Sequence, residues 1–197
     1  MKKGEATRQR IVARTANLLN KQGYRSTPVS AIMEVAGLQK GGIYRHFDSR
    51  AELTLEAFWY AVARKRDRLT GALEGHKSVT DQLLALLDVV GNASRDQAFG
   101  GGCPIMNLAI ESDDADPKLR TAAREAMRDL IGLFERIIAE GMGQDEFTKQ
   151  NARTIASSMV ASLEGGMMLS NLYKDRQYLD AITDDLRQAC AVNRLAD

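Results

Sequence analysis

Apolar residues recur at helical spacing along most of this chain, and in its first 50 residues glycine twice interrupts the pattern. Residues 7–22 form the first predicted helix, which Gly23 is expected to end because glycine commonly follows a last helical turn. A second helix is predicted over residues 27–36, with threonine as its cap and proline in its first turn, and Gly37 ends it. A third follows over residues 40–47. Three short helices with such tight connections favour an all-helical fold.

The rest of the chain continues in the same way, with apolar stripes at helical spacing and no convincing strand. Six further helices are predicted, bringing the total to about nine, and a glycine-rich loop is expected over residues 98–104. The helices are predicted at 50–73, from Ser78 or Thr80 to about 90, and at 105–112, 117–141, 147–173 and 176–195. We therefore predict an all-α protein with a three-helix domain at residues 1–50 and a larger helical domain at residues 51–197.

Several classes of protein are disfavoured by composition. No run of about 18 apolar residues is present, so a membrane span is not expected. The basic N-terminus has no apolar segment after it, which argues against secretion. Cys103 and Cys190 are the only cysteines and lie far apart, so a disulfide framework is not expected and the cytoplasm is the simplest location.

Charge is distributed unevenly along the chain. Residues 1–50 hold ten Lys/Arg and three Asp/Glu, a formal charge of +7, whereas the remainder holds 17 bases and 23 acids, a charge of −6. A basic head on an acidic body indicates a polyanionic partner for the head. An unevenly charged, merely solvated surface is the alternative.

The spacing of the second and third helices is that of a helix-turn-helix, in which the last helix enters the major groove of double-stranded DNA. Lys40 stands at the start of the third helix, and Gly41 and Gly42 carry no side chain that would hold the helix away from base edges. If Ile43 and Phe47 face the core, the side chains of the intervening residues face outward and can contact phosphate or a base. These outward residues are Tyr44, Arg45 and His46. The alternative is a short connector helix.

At this point the chain is similar to the tetracycline-repressor (TetR) family. The resemblance runs from Thr7-Arg8-Gln9-Arg10-Ile11 to Ser49-Arg50-Ala51-Glu52-Leu53 and is most specific from Ala36 to Leu53. It implies a homodimeric repressor that binds a pseudo-palindromic operator and is released by a ligand of its C-terminal domain. It also implies DNA contacts from Thr27, Lys40, Gly42, Tyr44, His46 and Arg50. Gln39 replaces the family's usual serine or threonine, which predicts a weaker cap, and is counted with Gly41 and Arg45 in the DNA-binding set.

The segment Gly101-Gly102-Cys103-Pro104-Ile105-Met106 resembles a Gly-Cys segment in a subset of that family, in some members of which the cysteine senses electrophiles or oxidants. Cys103 is predicted at a helix N-terminus, where the helix dipole favours the thiolate. The alternative is a small buried residue, as is expected of Cys190. A pocket for a small apolar or electrophilic ligand is predicted among the central helices, with plain core as the alternative reading. Its candidate residues are Phe58, Trp59, Val62, Leu86, Val90, Cys103, Met106, Met127, Phe134 and Met168.

The last two helices are predicted to form the dimer interface. An apolar stripe at helical spacing, accompanied by small residues, would allow close approach of a second subunit, as a palindromic site requires. The interface residues predicted from it are Ile155, Met159, Leu163, Gly166 and Met167. Burial of this stripe within one subunit is the alternative.

Enzymatic activity is not expected. The chain has two histidines, His46 and His76, and shows no metal-spaced cluster, no phosphate-binding glycine loop and no nucleophile–base pair. We therefore predict no cofactor and no metal. A helical small-molecule carrier or interaction module without DNA binding remains the alternative function.

Overall fold

The computed structural model describes residues 3–92, 101–112 and 116–191. Every regular element within these ranges is a helix, which confirms the predicted all-α class. No helix among them is long and apolar enough to cross a lipid bilayer. The helices are α1 Lys3–Gln22, α2 Val29–Ala36, α3 Lys40–Ile43, α4 Arg50–Gly71, α5 Val79–Asn92, α6 Pro104–Glu111, α7 Pro117–Gly143, α8 Ala152–Tyr173 and α9 Gln177–Ala191.

The described chain divides into two compact units. Residues up to Lys65, together with those from 101 to 125, form the first unit, so α6 belongs with α1–α3 and most of α4. Residues 66–92 and 126–191 form the second, which contains α5, α8, α9 and most of α7. Part of the predicted glycine loop, and the predicted end of the last helix, lie outside the described residues.

Helix α8 begins later than the sequence indicated. Phe147 was expected in its first turn, but it lies before the helix, 4% exposed, and packs on Gly141, where an added Cβ would come within 2.3 Å of its ring. Asn151 is the true N-cap, since its side chain accepts a hydrogen bond of 3.0 Å from the Thr154 amide. Apolar spacing extended the prediction because it does not distinguish a buried loop residue from a helical one.

In the second unit, α9 packs against both α8 and α5. The close approach to α8 occurs at Gly166, where an added Cβ would lie 2.8 Å from Ile182. Ser170 accepts a hydrogen bond of 3.0 Å from the Leu179 amide, and Arg187 pairs with Asp88 of α5 at 2.6 Å. These contacts make the three helices one packed layer.

The N-terminus of α5 is capped from a distant part of the sequence. Glu146 accepts hydrogen bonds from the amides of Val79 and Thr80, at 3.0 and 2.9 Å, and from the Thr80 hydroxyl. Because these donors favour the ionised form, they lower the pKa of Glu146. Ser78, one of the two predicted helix openers, also accepts from the Asp81 amide.

Candidate nucleic-acid interface

The helix-turn-helix forms as its spacing predicted. Gly37 closes α2 in the left-handed region, with φ 66°, and its amide donates to the carbonyl of Glu34. A residue with a side chain is strained at such a φ, which explains the glycine. Gln39 then starts α3 and makes no side-chain capping hydrogen bond, in agreement with the weaker cap expected there.

The third helix, α3, is shorter than predicted. Helix α3 ends at Ile43, and residues 44–46 continue as turns, since the Tyr44 amide donates to Lys40 and the His46 amide donates to Ile43. Two glycines and an N-terminus without a side-chain cap both disfavour a longer α-helix here. Ile43 and Phe47 are each 2% exposed and anchor the segment. Gln39, Lys40, Gly41 and Arg45 are exposed, while Gly42, Tyr44 and His46 are half-buried.

The fold does not require glycine at positions 41 and 42. A Cβ added to Gly41 would meet no atom within 4 Å, and one added to Gly42 would make ordinary contact with Leu38 at 3.4 Å. Both residues nevertheless lower the stability of a helix relative to alanine. No close contact within the described fold explains why such costly residues stand there.

We predict that Gly41→Ala stabilises the protein and weakens DNA binding at the same time. The free energy of unfolding should rise by about 0.5–1 kcal/mol in urea, because glycine is replaced in an exposed helix. Affinity for the operator should fall, since the new methyl group lies on the approaching surface. Unchanged affinity in a fluorescence anisotropy titration would contradict this placement of α3.

The Arg8 side chain contacts the segment that follows α3, at His46 and Phe47. Its guanidinium lies 4.5 Å from the centre of the Phe47 ring, and its Nε donates to the His46 carbonyl at 3.2 Å. It also pairs with Glu52 at 3.0 Å and with Glu56 on α4. The sequence analysis gave Arg8 no role, because these partners lie 38 to 48 residues away.

Two residues of the predicted DNA-binding set hold the α1–α2 turn instead of lying free on the surface. Thr27 is 1% exposed and its hydroxyl donates to the Gly23 carbonyl at 2.6 Å, so it does not cap α2, whose N-cap is Pro28. Arg50 donates from Nη2 to the carbonyls of Tyr24, Arg25 and Thr27, at 3.2, 3.0 and 2.7 Å. If Nη2 of Arg50 bound a phosphate, that contact would compete with its hydrogen bonds to the three carbonyls.

Helix α6 is joined to the same turn. The carboxylate of Glu111 accepts hydrogen bonds from the amides of Tyr24 and Arg25, at 3.0 and 2.9 Å. Asn107 donates to the Asn20 carbonyl and side-chain oxygen, at 3.2 and 3.0 Å, and Asn20 donates to the Gly102 carbonyl at 2.9 Å. These contacts span more than 80 residues of sequence and attach the segment that carries Cys103 to the end of α1.

The glycines before Cys103 permit this attachment. Gly101 has a φ of 103°, and a Cβ there would lie 2.1 Å from the Asn20 carbonyl oxygen. No side chain fits at that distance, so the segment can lie against α1 only with glycine at this position.

Cys103 is the N-cap residue of α6, as predicted, and is 2% exposed. Its Sγ lies 2.9 Å from Nζ of Lys65 on α4, a neighbour that the sequence did not indicate. A lysine ammonium and a helix N-terminus both favour a thiolate. Cys190 is fully buried, and burial raises the pKa of its thiol to about 11.

Tyr24 lies in the same unit, 2% exposed, with its ring edge-on to Phe58 at 6.1 Å. Its hydroxyl is buried without a hydrogen-bond partner. Burial first, and then the neighbouring Cys103 and Glu111, raise the pKa of Tyr24. The sequence analysis did not identify this residue, since a tyrosine in a turn has no distinctive spacing.

The residues predicted for a ligand pocket divide between the two units. Phe58, Trp59, Val62, Cys103 and Met106 belong to the first, and Leu86, Val90, Met127, Phe134 and Met168 to the second. Phe58 lies beside Trp59 with ring centres 5.3 Å apart. Met168 is 43% exposed on α8, so it does not line the interior of its unit.

The predicted dimer residues are buried within the chain itself. Ile155, Met159, Leu163 and Met167 are 3–5% exposed, and Gly166 lies against α9. Burial within one subunit is the alternative that the sequence analysis left open for this stripe. A different stripe of α8 faces outward, with four- and three-residue spacing: Thr154, Ser158, Ala161, Gly165, Met168 and Leu172.

Comparison with known proteins gives one consistent result. Residues 11–57 match "Bacterial regulatory proteins, tetR family", and residues 79–186, more than half of the chain, match "Tetracyclin repressor-like, C-terminal domain". A TetR transcriptional regulator from Chloroflexus aurantiacus is 38% identical, with a TM-score of 0.91 and 97% coverage of both chains. An uncharacterised HTH-type transcriptional regulator of Mycobacterium tuberculosis is 29% identical, with 93% of each chain covered. The reduced form of Escherichia coli NemR shares the fold, at 20% identity and a TM-score of 0.81, with 93% of this chain and 97% of that chain covered.

Proposed function

Because the chain belongs to the TetR family of transcriptional regulators, which bind DNA and are not enzymes, we propose that it is a homodimeric repressor of a pseudo-palindromic operator. Release from DNA follows binding of a small molecule or modification of Cys103. Since bacterial operators lie in the cytoplasm, the protein acts there.

DNA binding by α3 is supported most directly by the glycine pair at 41 and 42. The fold has space for a side chain at position 41, but the residue there is glycine, and Lys40 and Arg45 beside it are exposed. A helix surface without side chains, flanked by two cations, can come close to base edges and phosphates. The net charge of +7 in residues 1–50 attracts the same partner.

This proposal predicts a salt-dependent interaction to which Lys40 contributes. Lys40→Ala should weaken operator binding at all sequences and lower the slope of log affinity against log salt by about one for each subunit. The matched control is Lys149→Ala, which removes the same charge from an exposed loop of the second unit. Equal slopes for the two variants in anisotropy titrations would show that Lys40 is not at the interface.

A dimer is supported by the outward stripe of α8 defined above. Ala161 and Ser158 are small and exposed, and a Cβ on Gly165 would meet nothing within 4 Å, so a second helix could approach closely. Met168 and Leu172 continue the stripe, 43% and 67% exposed. Spacing by four and three residues is that of helices paired in a coiled-coil manner. We propose that this stripe, in place of the buried one, pairs across the two-fold axis.

Regulation through Cys103 is supported by its position. The thiol lies beside Lys65 at the start of α6, and the other end of α6 holds the α1–α2 turn through Glu111. A chemical change at the thiol therefore has a short, hydrogen-bonded path to the helix-turn-helix. The repressor NemR of Escherichia coli, 24% identical over 136 residues, was crystallised in a form described as reduced.

A further inference from the structure

We propose that Arg8 is a positioning residue for base recognition. Its guanidinium holds the end of the segment that reads DNA, and thereby sets operator selectivity, without itself contacting DNA. We call residues 40–47, which comprise α3, the turns after it and Phe47, the recognition segment. This inference rests on the proposed function, because selective operator binding is its readout.

The first observation is that the second half of the recognition segment lies outside any regular helix. Helix α3 ends at Ile43, and the His46 amide donates to the Ile43 carbonyl in a turn, at 2.9 Å. Side chains that read base edges must be held to within about half an ångström. The placement of residues 44–46, which belong to the predicted DNA-binding set, therefore depends on contacts from other elements.

Arg8 supplies such a contact from α1. Its Nε donates to the His46 carbonyl at 3.2 Å, and its guanidinium carbon lies 4.5 Å from the centre of the Phe47 ring. That ring is itself buried, 2% exposed. A hydrogen bond to one residue and a cation–π contact with the next hold both the backbone and a side chain at the end of the recognition segment.

Helix α4 supplies the anchor for Arg8. Both terminal nitrogens of the guanidinium donate to Glu56, and Nη2 also donates to Glu52 at 3.0 Å. Glu52 is fixed in turn, since its other carboxylate oxygen accepts from the Asp48 amide at 2.6 Å. The chain that leaves the recognition segment is thus held twice, by Arg8 at the His46 carbonyl and by Glu52 at the Asp48 amide.

The same contacts argue against a phosphate contact from Arg8. All three nitrogens of its guanidinium already donate to protein oxygens. Two carboxylates, Glu52 and Glu56, accompany one guanidinium, so the three side chains together are negative and repel a phosphate. Arg8 contributes to the formal charge of residues 1–50 but not to the surface that attracts DNA.

Lysine at position 8 would keep the charge and lose the geometry. A single ammonium nitrogen lacks the planar fork that donates to the His46 carbonyl and to both carboxylates, and it lacks the flat face that lies near Phe47. Arg8→Lys should therefore release the recognition segment. Nonspecific affinity depends mainly on charge, whereas selectivity depends on the geometry at base edges, so the two affinities should separate.

The test measures two affinities of each protein by fluorescence anisotropy over a range of salt concentrations. One duplex comes from the region upstream of the protein's own gene, and the other is a shuffled duplex of the same length. Arg8→Lys should bind the upstream duplex about tenfold more weakly, the size of one lost base contact. Its affinity for the shuffled duplex, and the slope of log affinity against log salt, should match wild type because its charge is unchanged.

The control is Arg153→Lys, which makes the same substitution in the second unit, where Arg153 pairs with Glu135 at 2.7 Å. Both of its affinities should match wild type. Stoichiometric titration gives the active fraction of each preparation, so that unfolded protein is not counted as weak binding.

Glu56→Gln tests the same support from α4 and leaves Arg8 in place. It removes a negative charge from the first unit, which by itself raises the affinity for any DNA. We nevertheless expect Glu56→Gln to bind the upstream duplex more weakly than wild type, while it binds the shuffled duplex at least as tightly. A change of opposite sign on the two duplexes cannot come from charge or from a general loss of stability.

Equal losses on the two duplexes, or an upstream affinity of Arg8→Lys that matches wild type, would overturn the role of Arg8. Tighter binding of both duplexes by Glu56→Gln would show that Glu56 acts through its charge alone, and would overturn it as well. Failure of the wild type to prefer the upstream duplex over the shuffled one is instead the failure of the proposed function.

Discussion

Replacing Ala161 by glutamate should leave the chain folded and convert the proposed dimer into monomers that have lost most of their operator affinity. Ala161 is exposed on α8 of the single chain, so the new carboxylate costs the fold little. In the proposed dimer it lies in the stripe that faces the partner helix, where a buried carboxylate has no compensating charge. Dimer association should weaken by at least about 100-fold.

The effect on DNA follows from the symmetry of the site. A monomer binds one half-site without the help of a tethered second head, so operator affinity should fall by about 10²–10⁴. Sedimentation equilibrium gives the oligomeric state, and anisotropy gives the affinity. Thr121→Glu, which introduces the same charge at an exposed position of α7, is the control. A dimeric Ala161→Glu protein would exclude this stripe as the interface.

The second large effect is expected at Gly101. Gly101→Ala places a Cβ 2.1 Å from the Asn20 carbonyl oxygen, at a backbone φ of 103° that alanine rarely adopts. The segment 101–112 must then move away from α1, and the α1–α2 turn loses the carboxylate of Glu111. We expect the free energy of unfolding in urea to fall by about 2–4 kcal/mol, with weaker operator binding.

The control for Gly101 is Gly75, which has a similar φ of 84° and open space around an added Cβ. Gly75→Ala therefore carries the backbone strain without the steric clash. Gly101 lies in the first unit and Gly75 in the second, so unfolding is followed by far-ultraviolet circular dichroism, which reports the helices of both units. Equal losses of stability in both variants would mean that docking on α1 does not require Gly101.

Sequence periodicity was sufficient for the helices and for the helix-turn-helix, because both depend on residues close together in the chain. It could not tell which stripe of α8 is buried within the chain. The stripes that contain Met159 and Ala161 both have helical spacing, and only the packing of α9 decides which is buried. The sequence indicated that Gly41 and Gly42 lower helix stability. It did not show that α3 ends at Ile43, because the length of a helix depends on the whole segment.

Long-range polar contacts were beyond prediction for a different reason. Glu111 reaches the amides of Tyr24 and Arg25 across 87 and 86 residues, and Lys65 reaches Cys103 across 38. Nothing in local composition pairs such residues, and a carboxylate near the end of a helix usually faces solvent. The partnerless hydroxyl of Tyr24 likewise becomes visible only when its surroundings are known.

Helix α6 belongs to the first unit, although it lies far from residues 1–50 in the sequence, and this affects the exchange of DNA-binding heads between relatives. If DNA-binding heads were exchanged between relatives by recombination near residue 50, the new head would arrive without its own Glu111 and Asn107. The resident α6 would hydrogen-bond to the new α1–α2 turn only if the incoming sequence has free backbone amides at positions 24 and 25 and an asparagine at position 20. A designer of hybrid regulators should therefore transplant α6 together with the head, so that these hydrogen bonds are retained.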